Sequence, residues 1–93
     1  MNLTEEQLSQ VKSLAYRTIL PRLIAISIEV DEVDFIEEIN LPGTPARRAF
    51  MQGLMQQMVE TREAVIKAAR NGSNPAQAEL LRFLQEQIYR MNK

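Results

Sequence analysis

Residues 20–30, Leu20-Pro21-Arg22-Leu23-Ile24-Ala25-Ile26-Ser27-Ile28-Glu29-Val30, decide the fold. Pro21 cannot continue a helical ladder, but its fixed φ suits a first helical turn, so a break near Leu20 and a new helix from Pro21 is one reading. Ile24, Ile26, Ile28 and Val30 alternate at period two and are β-branched, which is the pattern of a strand. No other segment offers itself as a strand partner, and an isolated strand leaves its backbone groups unpaired. The strand reading therefore requires a second copy of the chain, whereas the helical reading makes the protein all-α.

On the N-terminal side, Thr4 followed by Gln7 forms a capping box, with Leu3 and Leu8 placed as a hydrophobic staple. Leu8, Val11, Ala15 and Ile19 continue at helical spacing, widened by Leu14. On the C-terminal side, Asp31 is an N-cap for a short third helix carrying Val33, Phe35, Ile36 and Ile39, and Asn40-Leu41-Pro42-Gly43 stops it. Thr44-Pro45 starts a fourth helix, which meets no breaker stronger than Gly53 before Asn71-Gly72. At about 1.5 Å per residue it approaches 40 Å. Met51, Leu54, Met58, Thr61, Val65 and Ala68 fall on its seam at steps of three and four, predicting either core or an oligomer contact, with Met51, Leu54, Met58 and Val65 as its candidate residues. At such spacing Met51, Met55, Met58 and Met91 are read as core rather than as an adaptable binding surface. Glu63 and Lys67 are spaced for an i,i+4 pair. Asn74-Pro75-Ala76-Gln77 restarts a helix with a capping box, and Leu80, Leu81, Leu84, Ile88 and Met91 lie on its apolar side with Phe83 at the edge. Two helices joined by so short a turn fold back as a hairpin.

The expected architecture is thus an all-α single domain over 1–93. Its part 4–40 is helix-turn-helix-like and packs on an antiparallel helical hairpin, 44–91, with one long helix. At 93 residues the chain is close to the size at which one core becomes marginal, so a homo-oligomer is expected.

Composition narrows the chemistry. With neither His nor Cys, the chain offers no imidazole base, no thiolate nucleophile and no disulfide framework. Its glycines, Gly43, Gly53 and Gly72, are isolated and form no phosphate cradle. Glu29, Asp31, Glu32, Asp34, Glu37 and Glu38 match no calcium loop and read as a solvated helix face. No enzymatic activity, metal or cofactor is expected. The first twenty residues contain Glu5 and Glu6 and no apolar h-region, and no apolar run reaches the ~20 residues of a membrane span, so a soluble, cytoplasmic protein is expected.

A net charge of −1 hides a strong asymmetry. Residues 21–43 hold six acids against Arg22 alone, whereas residues 44–93 hold eight cations against Glu60, Glu63, Glu79 and Glu86. Arg47 and Arg48 stand in the first turn of the fourth helix, where the dipole disfavours positive charge. A phosphate, or the acidic segment 29–38, is the partner such a placement suggests.

Three segments carry a family resemblance. Residues 20–30 are similar to the first helix and turn of a helix-turn-helix, in which "Ile-Ala … Leu-Gly-Val" is common; Ile24-Ala25 and Val30 match, and Glu29 stands at the glycine. Ala49-Phe50-Met51-Gln52-Gly53 resembles a "Tyr-x-x-Gly" that follows this unit in small phage and prophage proteins, including terminase small subunits. Ala69-Arg70-Asn71-Gly72-Ser73-Asn74-Pro75-Ala76-Gln77 resembles their "Ala-x-x-Gly-Ser-x-Pro-Ala-Gln". The resemblance implies a self-associating protein of a bacterial host cell that binds double-stranded DNA through the third helix, acts in genome packaging and meets another phage protein. Against that, the third helix carries five acids and no Lys or Arg. Either Arg17, Arg22, Arg47 and Arg48 meet DNA instead, or the module serves protein–protein assembly without DNA.

Overall fold

The structure, a computed structural model, describes residues 1–91 and resolves the ambiguous stretch as helix. Among the described residues there are five helices and no strand: α1 (Glu5–Tyr16), α2 (Pro21–Ser27), α3 (Glu32–Asn40), α4 (Pro45–Arg70) and α5 (Asn74–Met91). The β-branched alternation of 24–30 loses because burial follows helical spacing: Ile24, Ala25 and Ile28 are buried, while Ile26 is exposed. The chain forms two compact units, Met1–Gln57 and a second from Met58 onward. Their boundary falls inside α4, so the first half of that helix belongs with α1–α3 rather than with the hairpin.

In the first unit Val11 and Ala15 of α1, Ile24, Ala25 and Ile28 of the α2 region, Phe35 and Ile39 of α3, and Ala46 and Ala49 of α4 form one core. Leu3, Leu8, Leu14, Ile19, Val30, Phe50 and Leu54 pack around it. Gly53 sets how closely α4 approaches α1: a Cβ there would lie 2.2 Å from the Lys12 carbonyl oxygen and 2.9 Å from the Tyr16 nitrogen. Backbone atoms cannot swing aside, so only glycine fits. The Gln57 side-chain amide then donates to the Tyr16 carbonyl at 2.8 Å, satisfying an orphan group at the end of α1.

Three helix ends share one design. After α1, α2 and α4, the residues Thr18, Glu29 and Gly72 adopt φ of 64°, 62° and 93°. The following N–H bonds back five residues in each case, Ile19 to Leu14, Val30 to Ala25 and Ser73 to Ala68. One of the three is glycine; Thr18 and Glu29 hold the left-handed conformation because Ile19 and Val30, one residue on, are packed against the core. The expected continuation of the first helix through Ile19 is corrected accordingly: Ile19 reaches the core from outside the helix.

Other starts fall where expected. Thr4 Oγ1 accepts from the Gln7 N–H at 3.1 Å while Gln7 Oε1 accepts from the Thr4 N–H at 2.9 Å. Asp31 accepts from the Asp34 N–H, and Thr44 from the Arg47 N–H. The cap of α5 shifts by one residue: Ser73 Oγ, not Asn74, accepts from the Ala76 N–H, and the Gln77 amide reaches across to the Ala69 carbonyl at 3.1 Å instead of closing a capping box.

The second unit is an antiparallel hairpin. Ala69 meets Gln77 and, further from the turn, the Arg62 guanidinium stacks 4.1 Å from the centroid of the Phe83 ring. Within the unit Ala69 is the buried residue, with Val65, Ile66, Leu80 and Phe83 half-buried. Among the described residues no helix is long and apolar enough to cross a membrane.

Replacing Gly53 by Ala is expected to destabilise the first unit by about 3 kcal/mol, the upper end for overpacked sites. The loss is read as a lowered urea midpoint of the helical circular-dichroism signal, and an unchanged midpoint would contradict the close approach.

Candidate interaction surfaces

The helix-turn-helix-like pair is positioned by two polar side chains that each serve two elements. Gln7 closes the α1 capping box through its oxygen and, through Nε2, donates to the Ile28 carbonyl at 3.0 Å, fastening the start of α1 to the turn between α2 and α3. Thr44 accepts from Arg47 as the α4 cap and donates to the Glu38 carbonyl at 2.8 Å, closing the C-terminal end of α3. These bonds tie α1 to the turn before α3 and the start of α4 to the end of α3.

That surface is apolar and acidic. Phe35 and Ile39 turn inward, leaving Val33, Asp34, Ile36, Glu37 and Asn40 outside, with Val33 at 63% exposure. Of the four apolar residues on this helix, Phe35 and Ile39, four apart, fill its inward stripe, and Val33 and Ile36 stay outside. On α2, Leu23 and Ile26 are exposed as well. Glu32 stands 3.6 Å from Arg22, an exposed pair worth little. Among the described residues no three acids or other metal-binding side chains gather into a metal site.

The four arginines expected to meet DNA stand in different settings. Arg47 is half-buried, and its Nη1 donates to the Ile39 carbonyl at 2.8 Å, so its charge serves the C-terminal end of α3. Arg22 is beside Glu32, and Arg17 is exposed just past α1. Arg48 is exposed and shares an open groove between α1 and α4 with Lys12 and Glu5. Sequence reasoning missed Lys12, whose proximity to Arg48 exists only once α4 crosses α1. An unfavourable charge in the first turn of α4 is explained at Arg47 by the α3 carbonyl it reaches.

The methionine and seam residues also fall differently. Leu54 packs on the first core and Val65 is half-buried. Met51, Met55, Met58 and Met91 are exposed, which corrects their reading as core of the chain. On α5 Leu80 and Phe83 are half-buried, and Leu81, Leu84, Ile88 and Met91, spaced three, four and three apart, form an apolar stripe at 53% to 83% exposure. Arg82 hydrogen-bonds Glu79, which holds that carboxyl below the usual carboxylate range, and lies 5.6 Å from the Phe83 centroid. The expected Glu63–Lys67 pair is not among the ion pairs of the described residues.

Substituting Arg47 by Met keeps the apolar stem and removes the bond to Ile39. This change is expected to cost about 1–3 kcal/mol of stability, the usual range for losing a charged donor to a part-buried carbonyl. Thermal unfolding of the variant measures it, and an unaltered midpoint would return Arg47 to the pool of surface cations. Comparison with protein-family models, with curated proteins and with solved structures finds no match for this chain.

Proposed function

We propose that this chain is a non-enzymatic assembly module that associates with itself through its C-terminal hairpin. The observation that carries the reading is the unfinished core of that unit. Among its described residues Ala69 is the buried one, while Leu81, Leu84, Ile88 and Met91 on α5 are exposed. A unit shorter than ~40 residues rarely holds together on its own core, and oligomerisation is one of the few remedies open to a chain without cysteine or histidine. An exposed apolar stripe of this length is what an interacting surface requires. Protein, not a nucleic-acid duplex, is the partner suited to α3, because its outer face offers carboxylates and aliphatic groups where phosphates would lie.

A DNA-transaction reading of the phage type has one observation in its favour: α1–α3 have helix-turn-helix layout, with a left-handed residue, Glu29, at the turn. On that reading Lys12, Arg17 and Arg48 would supply the phosphate contacts. A salt titration separates the two. The assembly reading expects no retardation of a DNA duplex even at low ionic strength, and binding that weakens steeply with salt would favour the DNA reading.

Sedimentation equilibrium is the direct test of self-association, with the expectation of a mass above the monomer that rises with concentration. Replacing Leu84 and Ile88 together by Lys is expected to give the monomer with its helical signal retained. A wild-type chain that stays monomeric across the concentration range would end the assembly reading.

A further inference from the structure

We infer that the contact between copies is head-to-tail: the acidic, apolar face of α3 in one copy docks on the C-terminal hairpin of a second copy. The inference rests on the self-association reading above and adds which two surfaces meet. A stable interface needs about 800 Å² and about 20–30 residues from each partner, more than the four side chains of the α5 stripe supply. A second exposed apolar surface with a matching charged rim is therefore needed, and the first unit holds one.

Charge selects the pairing. The unit Met1–Gln57 carries eight acids against five cations, and the chain from Met58 onward carries six cations against four acids. On α3 the exposed carboxylates Asp34 and Glu37 flank exposed Val33 and Ile36, and α3 has no cation of its own. On the hairpin, exposed Lys67 and Arg70 line an open groove with Ile66, Asn71 and a single carboxylate, Glu63, beside the turn into α5, so the groove keeps a net positive charge. Docking α3 against its own copy would set carboxylates on carboxylates, a juxtaposition that costs several kcal/mol at an interface. Docking it on the hairpin sets carboxylates on ammonium and guanidinium groups and covers aliphatic surface on both sides. The contact is heterologous, because each copy offers one α3 face and one hairpin face, and it propagates until a ring closes or an open chain forms.

Two charge-reversed chains test the inference, D34K/E37K and K67E/R70E, each altering exposed positions outside the core. Sedimentation is run on each alone and on their equal mixture, with circular dichroism to check folding. Each variant alone is expected to be monomeric at concentrations where the wild type is assembled, and the mixture is expected to recover the wild-type mass because every α3 face then finds a hairpin of opposite charge. Assembly of the wild-type chain is also expected to weaken at least tenfold between 0.05 M and 0.5 M salt, a readout that needs no variant. Wild-type mass in both reversed variants, with association insensitive to salt, would overturn the head-to-tail contact while leaving self-association through α5 in place. Loss of assembly in each variant without recovery in the mixture would overturn it too. A monomeric wild type would sink both readings together.

Discussion

The close passage of α4 over α1 at Gly53 is the constraint on which the first unit depends. Side chains normally hold packed helices 8–10 Å apart. Here the missing Cβ lets the α4 backbone come against the Lys12 carbonyl and the Tyr16 amide. That proximity lowers Ala46 and Ala49 onto the core and brings Phe50 and Leu54 to its rim. It also carries Gln57 to the exposed end of α1, where its amide replaces a lost helical partner for Tyr16. Two alanines and a glycine on the buried side of α4 are thus the small residues of a tight crossing. Within this part of α4, Met51 and Met55 stay exposed.

Polar groups inside this unit are spent on joining elements. Gln7 has an oxygen for its own capping box and a nitrogen for the Ile28 carbonyl, a division that glutamate could not make. Thr44 likewise accepts on one side and donates on the other. Arg47 completes the set at Ile39. The consequence reaches function: an arginine placed by the sequence on a helix start, and read there as a candidate phosphate contact, is held by the preceding helix. Among the described residues no buried side-chain nitrogen or oxygen lacks a partner, which fits a scaffold whose polar chemistry is structural.

Local signals were legible in the sequence wherever one residue type did one job. Thr4, Asp31 and Thr44 marked helix starts, Pro21 and Pro45 marked first turns, and Gly72 marked a stop. Where the local rule was broken, the reading slipped. Thr18 and Glu29 end their helices in a conformation usually left to glycine, and nothing in their side chains announces it; Ile19 and Val30 drive it by packing after the turn. Burial was harder still, because a seam at steps of three and four does not say which of two sides is covered. Leu80 and Phe83 are half-buried, with Arg62 stacked on the Phe83 ring, and the stronger aliphatic stripe is left exposed. The site residues were the least legible: Lys12 and Arg48 are 36 positions apart and share a groove only through the Gly53 crossing.

A fold does not carry its commonest function with it; the chemistry of the exposed side chains decides. The third helix of this unit carries carboxylates and no cation, the opposite of the sign that a DNA groove requires. Two unit charges 4 Å apart interact by about 1 kcal/mol in bulk water and about 4 kcal/mol near a protein surface. Asp34 and Glu37 beside phosphates would therefore oppose binding by an amount that the scattered cations of Arg17 and Arg48 must first offset. The same two carboxylates, flanked by Val33 and Ile36, become favourable once the opposing surface is a cationic, aliphatic one. The hairpin of this chain has both properties and lacks a finished core. One charge pattern, acids without cations on α3 and a net positive charge from Met58 onward, thus counts against the DNA reading and for the assembly reading at once.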